Sequence, residues 1–474
     1  MLRLTWVQPE DLLGHELRQA ALDGREPSRI AERWRAAGGM EAPLRAGAST
    51  EPASRYLRTL AEDLLDELAD LPSRLKDDEP TDLEKIKSLC PNWPSDSCTS
   101  TAPPAPLAPP APPAPARYEA AWLGRAVGCV LGKPVEKLPL EAIRQLAKST
   151  GNWPLTTYFT ARGVPQDLLT THPWNRRSAL TSLAENIDGM PEDDDLNYPL
   201  LNLLLLRRHG TTFTTTDVAR LWLDELPPGR TFTAERIAHR NLLLGIEPPH
   251  TARHRNPFRE WIGALIRADV HGWTNPGNPA AAAEQAHRDA TLTHTANGVY
   301  AAMFTAAVIA QAATATGTHD IHTCLRTGLT VIPPNSRLAR AIHHAIRLAE
   351  THDDFDTVVD ELHAAHAHTH HWVHALPNTA LITAALTHAD GDFTGSICRA
   401  VSGGWDTDSN GATAGSIAAL LTGTPAALPD RWTAPLKNRL ATSVADFDGT
   451  GFDALARLTH ELAHRLTPLE ATRP

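Results

Sequence analysis

Alanine-rich segments with helical spacing constrain this chain more than any other feature. GVYAAMFTAAVIAQAATATG (298–317) and RLARAIHHAIRLAE (337–350) are built from strong helix formers, and clusters of Gly, Pro, Asn and Asp separate such stretches. Period-two alternation, the mark of a half-buried strand, is scarce. The expected fold class is therefore all-α. With 474 residues, 42% of them hydrophobic, the chain can bury a large core and still carry an accessory part.

One break divides it. Residues 99–116, TSTAPPAPLAPPAPPAPA, form a Pro/Ala tract with the composition of an extended polyproline-like spacer. Residues 1–98 then make a small N-terminal helical module, with helical patterning over Pro9–Arg35 and Glu51–Lys76, where Leu57, Leu60, Leu64, Leu65 and Leu68 repeat at three and four residues. No cluster of catalytic residue types marks this module, so packing or interaction is its expected role. Residues 117–470 form the larger helical domain.

Charge and cysteine usage narrow the partners. A net charge of −11 with scattered basic residues leaves no extended nucleic-acid surface. Five widely spaced cysteines without a zinc pattern suit a reducing cytoplasm. No apolar run reaches membrane-spanning length, and MLRLTWVQPEDLLGHEL lacks a signal-peptide core, so a cytoplasmic protein without a membrane partner is expected. The histidine-rich stretch from His363 to Pro377 spreads its rings over several helix faces with no acid or cysteine to complete a metal shell. Its expected role is structural.

Three sites interrupt the alanine-rich background. Gly124, Gly128 and Gly132 recur at four-residue spacing, which lets another backbone approach a helix face; Pro134 ends that helix and leaves Glu136 in the following loop. Glu192, Asp193, Asp194 and Asp195 stand directly before an apolar run. Asp406, Asp408 and Ser409 sit in GGWDTDSN (403–410), ahead of the small-residue segment GATAGSIAALLTG. Acids before a helix commonly cap it. Consecutive carboxylates also repel one another, and a hard divalent cation with oxygen ligands relieves that repulsion, whereas the absence of His and Cys disfavours zinc.

The three sites in this order resemble the ADP-ribosylglycohydrolase family, over roughly Ala116 to Thr467. The family's first helix ends in a GD-x-x-G-x-x-x-E pattern, matched from Gly128 to Glu136; a T-D-D-T type motif comes next, and late in the chain comes G-G-D-T-D-T/S-N. The resemblance implies a compact multi-helix domain that hydrolyses the glycosidic bond between ADP-ribose and a modified acceptor, on a protein side chain or a small molecule. It implies two divalent ions, Mg²⁺ or Mn²⁺, with Glu192, Asp193, Asp194, Asp406, Asp408 and Ser409 at the ligand positions and Glu136 or Asp194 handling protons. A shift of the paired aspartates to Asp194 and Asp195 is the alternative register. Gly263, in NPFREWIGALIR, matches a glycine-containing helix start beside the diphosphate, and His294, in TLTH, matches a histidine that contacts ADP-ribose. Three residues depart from the family pattern: Cys129 replaces an aspartate, Glu192 replaces a threonine, and Trp405 is inserted before Asp406. An ADP-ribose-binding module without catalysis and a small-metabolite N-glycoside hydrolase are the two other readings of the same motifs.

Overall fold

Helix-forming stretches set the architecture. The computed structural model describes residues 3–42, 49, 51–94 and 113–466; Cys98 and most of the Pro/Ala tract lie outside them. Among the described residues there are 22 α-helices, with short 3-10 turns between them, and the only extended pairings are two isolated bridges, Met190 with Leu440 and Trp261 with His374. The fold is all-α, as its composition requires. No helix of the described residues is long and apolar enough to cross a membrane.

Nine helices build and support the central region and are labelled in chain order: α1 (Pro9–Leu22), α2 (Ser28–Ala36), α3 (Arg55–Asp70), α4 (Leu83–Leu89), α5 (Pro115–Gly132), α6 (Asp194–His209), α7 (Ala296–Ala312), α8 (Ala375–His388) and α9 (Thr407–Thr422). The helical patterning over 9–35 is split into α1 and α2 by Gly24, which takes φ +72°, and by Pro27. α5 starts with Pro115, where a missing N–H leaves no bond unmade, so the last two residues of the tract are already helical.

The centre of the fold is an antiparallel pair, α5 against α9. A Cβ built on Gly124 would lie 2.3 Å from the Gly415 carbonyl oxygen, one on Gly128 1.8 Å from that of Gly411, and one on Gly132 2.2 Å from that of Thr407. The two backbones thus touch along three successive turns, and this accounts for the small-residue composition of α9. Gly128→Ala is expected to cost at least the ~1–3 kcal/mol typical of overpacking. A urea midpoint unchanged from wild type would contradict this interlock. Around the pair, α7 is buried on every face from Asn297 to Ala310, as a helix that is apolar all round must be.

The front part is fused to this core. Leu12, Leu13, Trp34, Leu64, Leu65 and Leu68 share one apolar cluster with Ile237, Phe258, Trp261 and Val373. Arg259 pairs with Glu16 and with Asp23, each at 2.6 Å, and Arg337 pairs with Glu79 at 2.6 Å. Burial of that apolar face and of these charges ties α1 and α3 to the segments on either side of α7.

Candidate active site

Three helix ends converge at one basin. α5 runs out through a 3-10 turn (Lys133–Val135) to Glu136, α6 begins at Asp194 with Asp193 as its N-cap, and α9 begins at Thr407. The Thr407 hydroxyl donates to the Gly132 carbonyl at 2.8 Å, so the glycine interlock fixes the start of α9 against the end of α5. Both N-termini present their positive dipole ends to acids, and the Asp193 side chain accepts from the Asp195 N–H at 3.0 Å.

The turn before α9 needs left-handed backbone at two residues, Gly404 (φ +80°) and Trp405 (φ +60°). Such a conformation is strained for tryptophan, and packing holds it there. The Trp405 ring stacks on His363 with centroids 4.2 Å apart and planes 8° from parallel. His363 Nε2 donates to the Gly403 carbonyl at 2.8 Å, which requires the proton on that nitrogen. The inserted indole therefore braces the turn, and the histidine-rich stretch supplies the platform. Asn378 of α8 completes the support, its Oδ1 accepting from the Asp406 N–H (3.2 Å) and from Asn410 Nδ2 (2.7 Å).

Two candidate ligand groups result. Glu136, Asp406 and Asp408 bring carboxylate oxygens within 4.8 Å of one another, and Cys129, Asp193 and Asp195 do the same with thiol and carboxylate atoms. In the first group burial, then the neighbouring carboxylates, raise Asp406 well above the usual carboxylate range and push Asp408 up to about 7. Lys137 meets Glu136 at 2.8 Å from the exposed side, and Asn175 donates to it at 2.8 Å. In the second group burial opposes ionisation of Asp193, but the bonded Lys133 ammonium holds it below the ordinary range. Burial, together with Asp193 and Asp195, pushes the Cys129 thiol well up, so it remains protonated.

The raised carboxyls have a consequence for stability. Asp406 and Asp408 bind protons more tightly in the folded chain than in the unfolded one. Their contribution is fully present below the ordinary carboxylate range and is lost as pH rises through their raised values, about 7 for Asp408. With chelator present, the melting temperature is expected to fall between about pH 5 and pH 8, and added Mg²⁺ to raise it more at pH 8 than at pH 5. A Mg²⁺ effect independent of pH would contradict a role for these two carboxylates in holding the ion.

The residues expected from the sequence separate into two sets. Glu136, Asp193, Asp194, Asp406, Asp408 and Ser409 lie at or beside the basin; Asp194 is half-buried at the first turn of α6, and Ser409 is buried in the first turn of α9. Glu192 stands in neither ligand group, its carboxylate meeting Arg230 at 3.1 Å and Asn197 at 3.4 Å. Asp195 is engaged by Arg125 through its side chain (3.2 Å) and its carbonyl (2.6 Å). Gly263 and His294 belong to a constellation around Arg267. That guanidinium donates to the Gly263 carbonyl at 3.1 Å and to Glu235 at 2.9 Å, and His294 Nδ1 lies 3.9 Å from the same Glu235 carboxylate. A Cβ on Gly263 would meet that carboxylate at 2.0 Å, and the His294 side chain is fully buried.

Sequence reasoning missed Arg125, Lys133 and Asn378. Each left a signal, being a polar or charged residue inside or at the end of an otherwise apolar helix. Arg125 is fully buried between Asp195 and Asp269, bonding Asp269 at 2.9 Å, and also donates to the Ile266 carbonyl. The Cys129 thiol donates to the Asp195 carboxylate at 3.8 Å.

Residues 110–470 match the family described as ADP-ribosylglycohydrolase. This sets the class: a glycosidase-type hydrolase acting on ADP-ribose conjugates. Among solved structures, the chain is similar to one titled "ADP-ribosylglycohydrolase-related protein complex", with 20% identity, a TM-score of 0.45, and coverage of 75% of this chain and 99% of the other. No curated protein matches. The chain belongs to the ADP-ribosylglycohydrolase family.

Proposed function

We propose that this chain is a metal-dependent hydrolase that cleaves the bond between the ribose anomeric carbon of ADP-ribose and a modified acceptor, a protein side chain or a related small molecule, and releases ADP-ribose. The observation that carries this is the triad Glu136, Asp406 and Asp408, three carboxylates gathered within 4.8 Å, of which Glu136 is bonded by Lys137 from the exposed side. Such a set fits a hard divalent ion, Mg²⁺ or Mn²⁺, because its donors are all oxygen and a cation would relieve the crowding that raises Asp406 and Asp408. Glu136, Asp406 and Asp408 would hold that ion, with the Ser409 hydroxyl beside them. When bound, the ion orients the ribose hydroxyls and lends Lewis acidity at the reacting centre.

The remaining chemistry falls to the chain's own carboxylates. Cleavage passes through an oxocarbenium-like state, whose positive charge a basin of negative side chains favours. Of the two expected proton-handling groups, Glu136 is held by Asn175 and Lys137, while Asp194 is half-buried. Burial, then Asp193, Asp195 and Asp408, raise the Asp194 carboxyl well above its ordinary range. Of the two, Asp194, at the first turn of α6 beside the basin, is the carboxylate assigned here to take the proton from the attacking water. The free, buried cysteines Cys90, Cys129, Cys324 and Cys398 support a cytoplasmic setting.

A release assay tests this reading, using ADP-ribose linked to arginine, serine and nucleic-acid acceptors, with and without chelator. Metal-dependent release from at least one of them is expected. Binding of ADP-ribose without release from any would make the chain a binding module. Turnover of free nucleoside-like compounds alone would make it a small-metabolite N-glycoside hydrolase.

A further inference from the structure

We propose that the Lys133 ammonium stands in for the second of the family's two ions, so that the basin of this chain holds a single divalent ion, at Glu136, Asp406 and Asp408. This inference rests on the metal-dependent reading above and deepens it. Lys133 lies one helical turn beyond Cys129, and the face they share looks onto the start of α6. The lysine side chain is 10% exposed and that of Asp193 8%, and Lys133 Nζ bonds directly to Asp193 Oδ2. A buried lysine held by a carboxylate keeps its charge at neutral pH. The position where an ion would meet Asp193 is therefore already taken by a cation of the chain itself.

The charges of the two halves agree. On the α6 side, Asp193 pairs with Lys133, Asp195 pairs with Arg125, and Cys129 offers a thiol in place of a carboxylate. With Asp194, and with Asp269 sharing Arg125, four aspartates there face two buried cations. On the α9 side, the one cation bonded to the three carboxylates among the described residues is Lys137, whose side chain is 48% exposed and bound to Glu136. Among the described residues, the chain thus sets a buried cation directly on Asp193, whereas no ion pair engages Asp406 or Asp408. A second divalent ion would have to displace Nζ from Asp193 and then remain beside it, against like-charge repulsion in a desolvated setting.

The test is metal counting on the full chain with Mn²⁺ alone, by elemental analysis after desalting and by electron paramagnetic resonance, which reads magnetic coupling between two manganese ions only a few ångströms apart. Wild type is expected to hold one Mn²⁺ per chain with an uncoupled spectrum. Lys133→Met is expected to take a second ion and to show coupling. Two coupled ions in the wild type, or one ion in a folded Lys133→Met variant, would overturn the stand-in role while leaving the metal-dependent reading intact. No bound ion in either protein would overturn both. Should Lys133→Met fail to fold, the wild-type count and spectrum decide the matter by themselves.

Discussion

Asp408→Asn is expected to abolish metal-dependent release of ADP-ribose while leaving the apo fold at least as stable as wild type at pH 8. The loss should be on the order of 10³-fold or more, because an ion's stabilisation of developing charge contributes several kcal/mol. The stability effect comes from the same crowding. Burial, then Glu136 and Asp193, push the Asp408 carboxyl up to about 7, so above that pH the folded apo chain carries a charge it disfavours. An amide of the same shape removes the charge and the repulsion together. Release measured against a chelated control, with melting curves on the same samples, checks both parts. Undiminished turnover in the variant would remove Asp408 from the centre. A large drop in apo stability at pH 8 would mean that its carboxylate holds the turn instead of an ion.

The second large effect is expected at Arg125. Arg125→Met leaves Asp195 and Asp269 without their shared guanidinium, and these side chains are 1% and 0% exposed. Removing one partner from a buried ion pair typically costs about 3–5 kcal/mol. The deficit should shrink in acid, since protonated carboxyls need no counter-charge. Denaturant unfolding of both proteins at about pH 5 and pH 8 measures it. An equal deficit at the two pH values would assign the loss to packing. Because Arg125 also holds the Asp195 carbonyl, the start of α6, with Asp193 and Asp194, is expected to shift relative to α9 in this variant.

Legibility in the sequence depended on how local each cause was. The four-residue glycine spacing on α5 and the small residues of α9 announced a close backbone approach, and each glycine of the first found its partner in the second. The acidic runs before α6 and α9 were equally visible, because capping chemistry and ion chemistry both use carboxylates at helix starts. Pairings between distant elements were not legible. Nothing near Asp195 signals that Arg125, 70 residues earlier, claims it, and nothing near Lys133 signals that its ammonium reaches Asp193. Trp405 had no sequence explanation at all. Its stacking partner His363 lies in a histidine-rich stretch whose spacing pointed only to structure, and the indole turns out to brace the strained turn that presents Asp406 and Asp408.

The N-terminal part shows the same limit. Leucine spacing in residues 57–68 marked an amphipathic helix, but only the fold reveals that Leu64, Leu65 and Leu68 share an apolar cluster with Phe258 and Trp261 of the larger part. Gly263 and His294 lie in the Arg267 network that borders this same region, since Gly298, whose added Cβ would meet His294 at 2.9 Å, also abuts the carbonyl of Arg259.

The most direct test of the central claim, that Glu136, Asp406 and Asp408 form a metal-dependent hydrolytic centre, is release of ADP-ribose by the wild-type chain in the presence of chelator and after Mg²⁺ or Mn²⁺ is restored. Release from at least one conjugate that stops with chelator and returns with the ion is the result expected. Release that proceeds unchanged in excess chelator would contradict it.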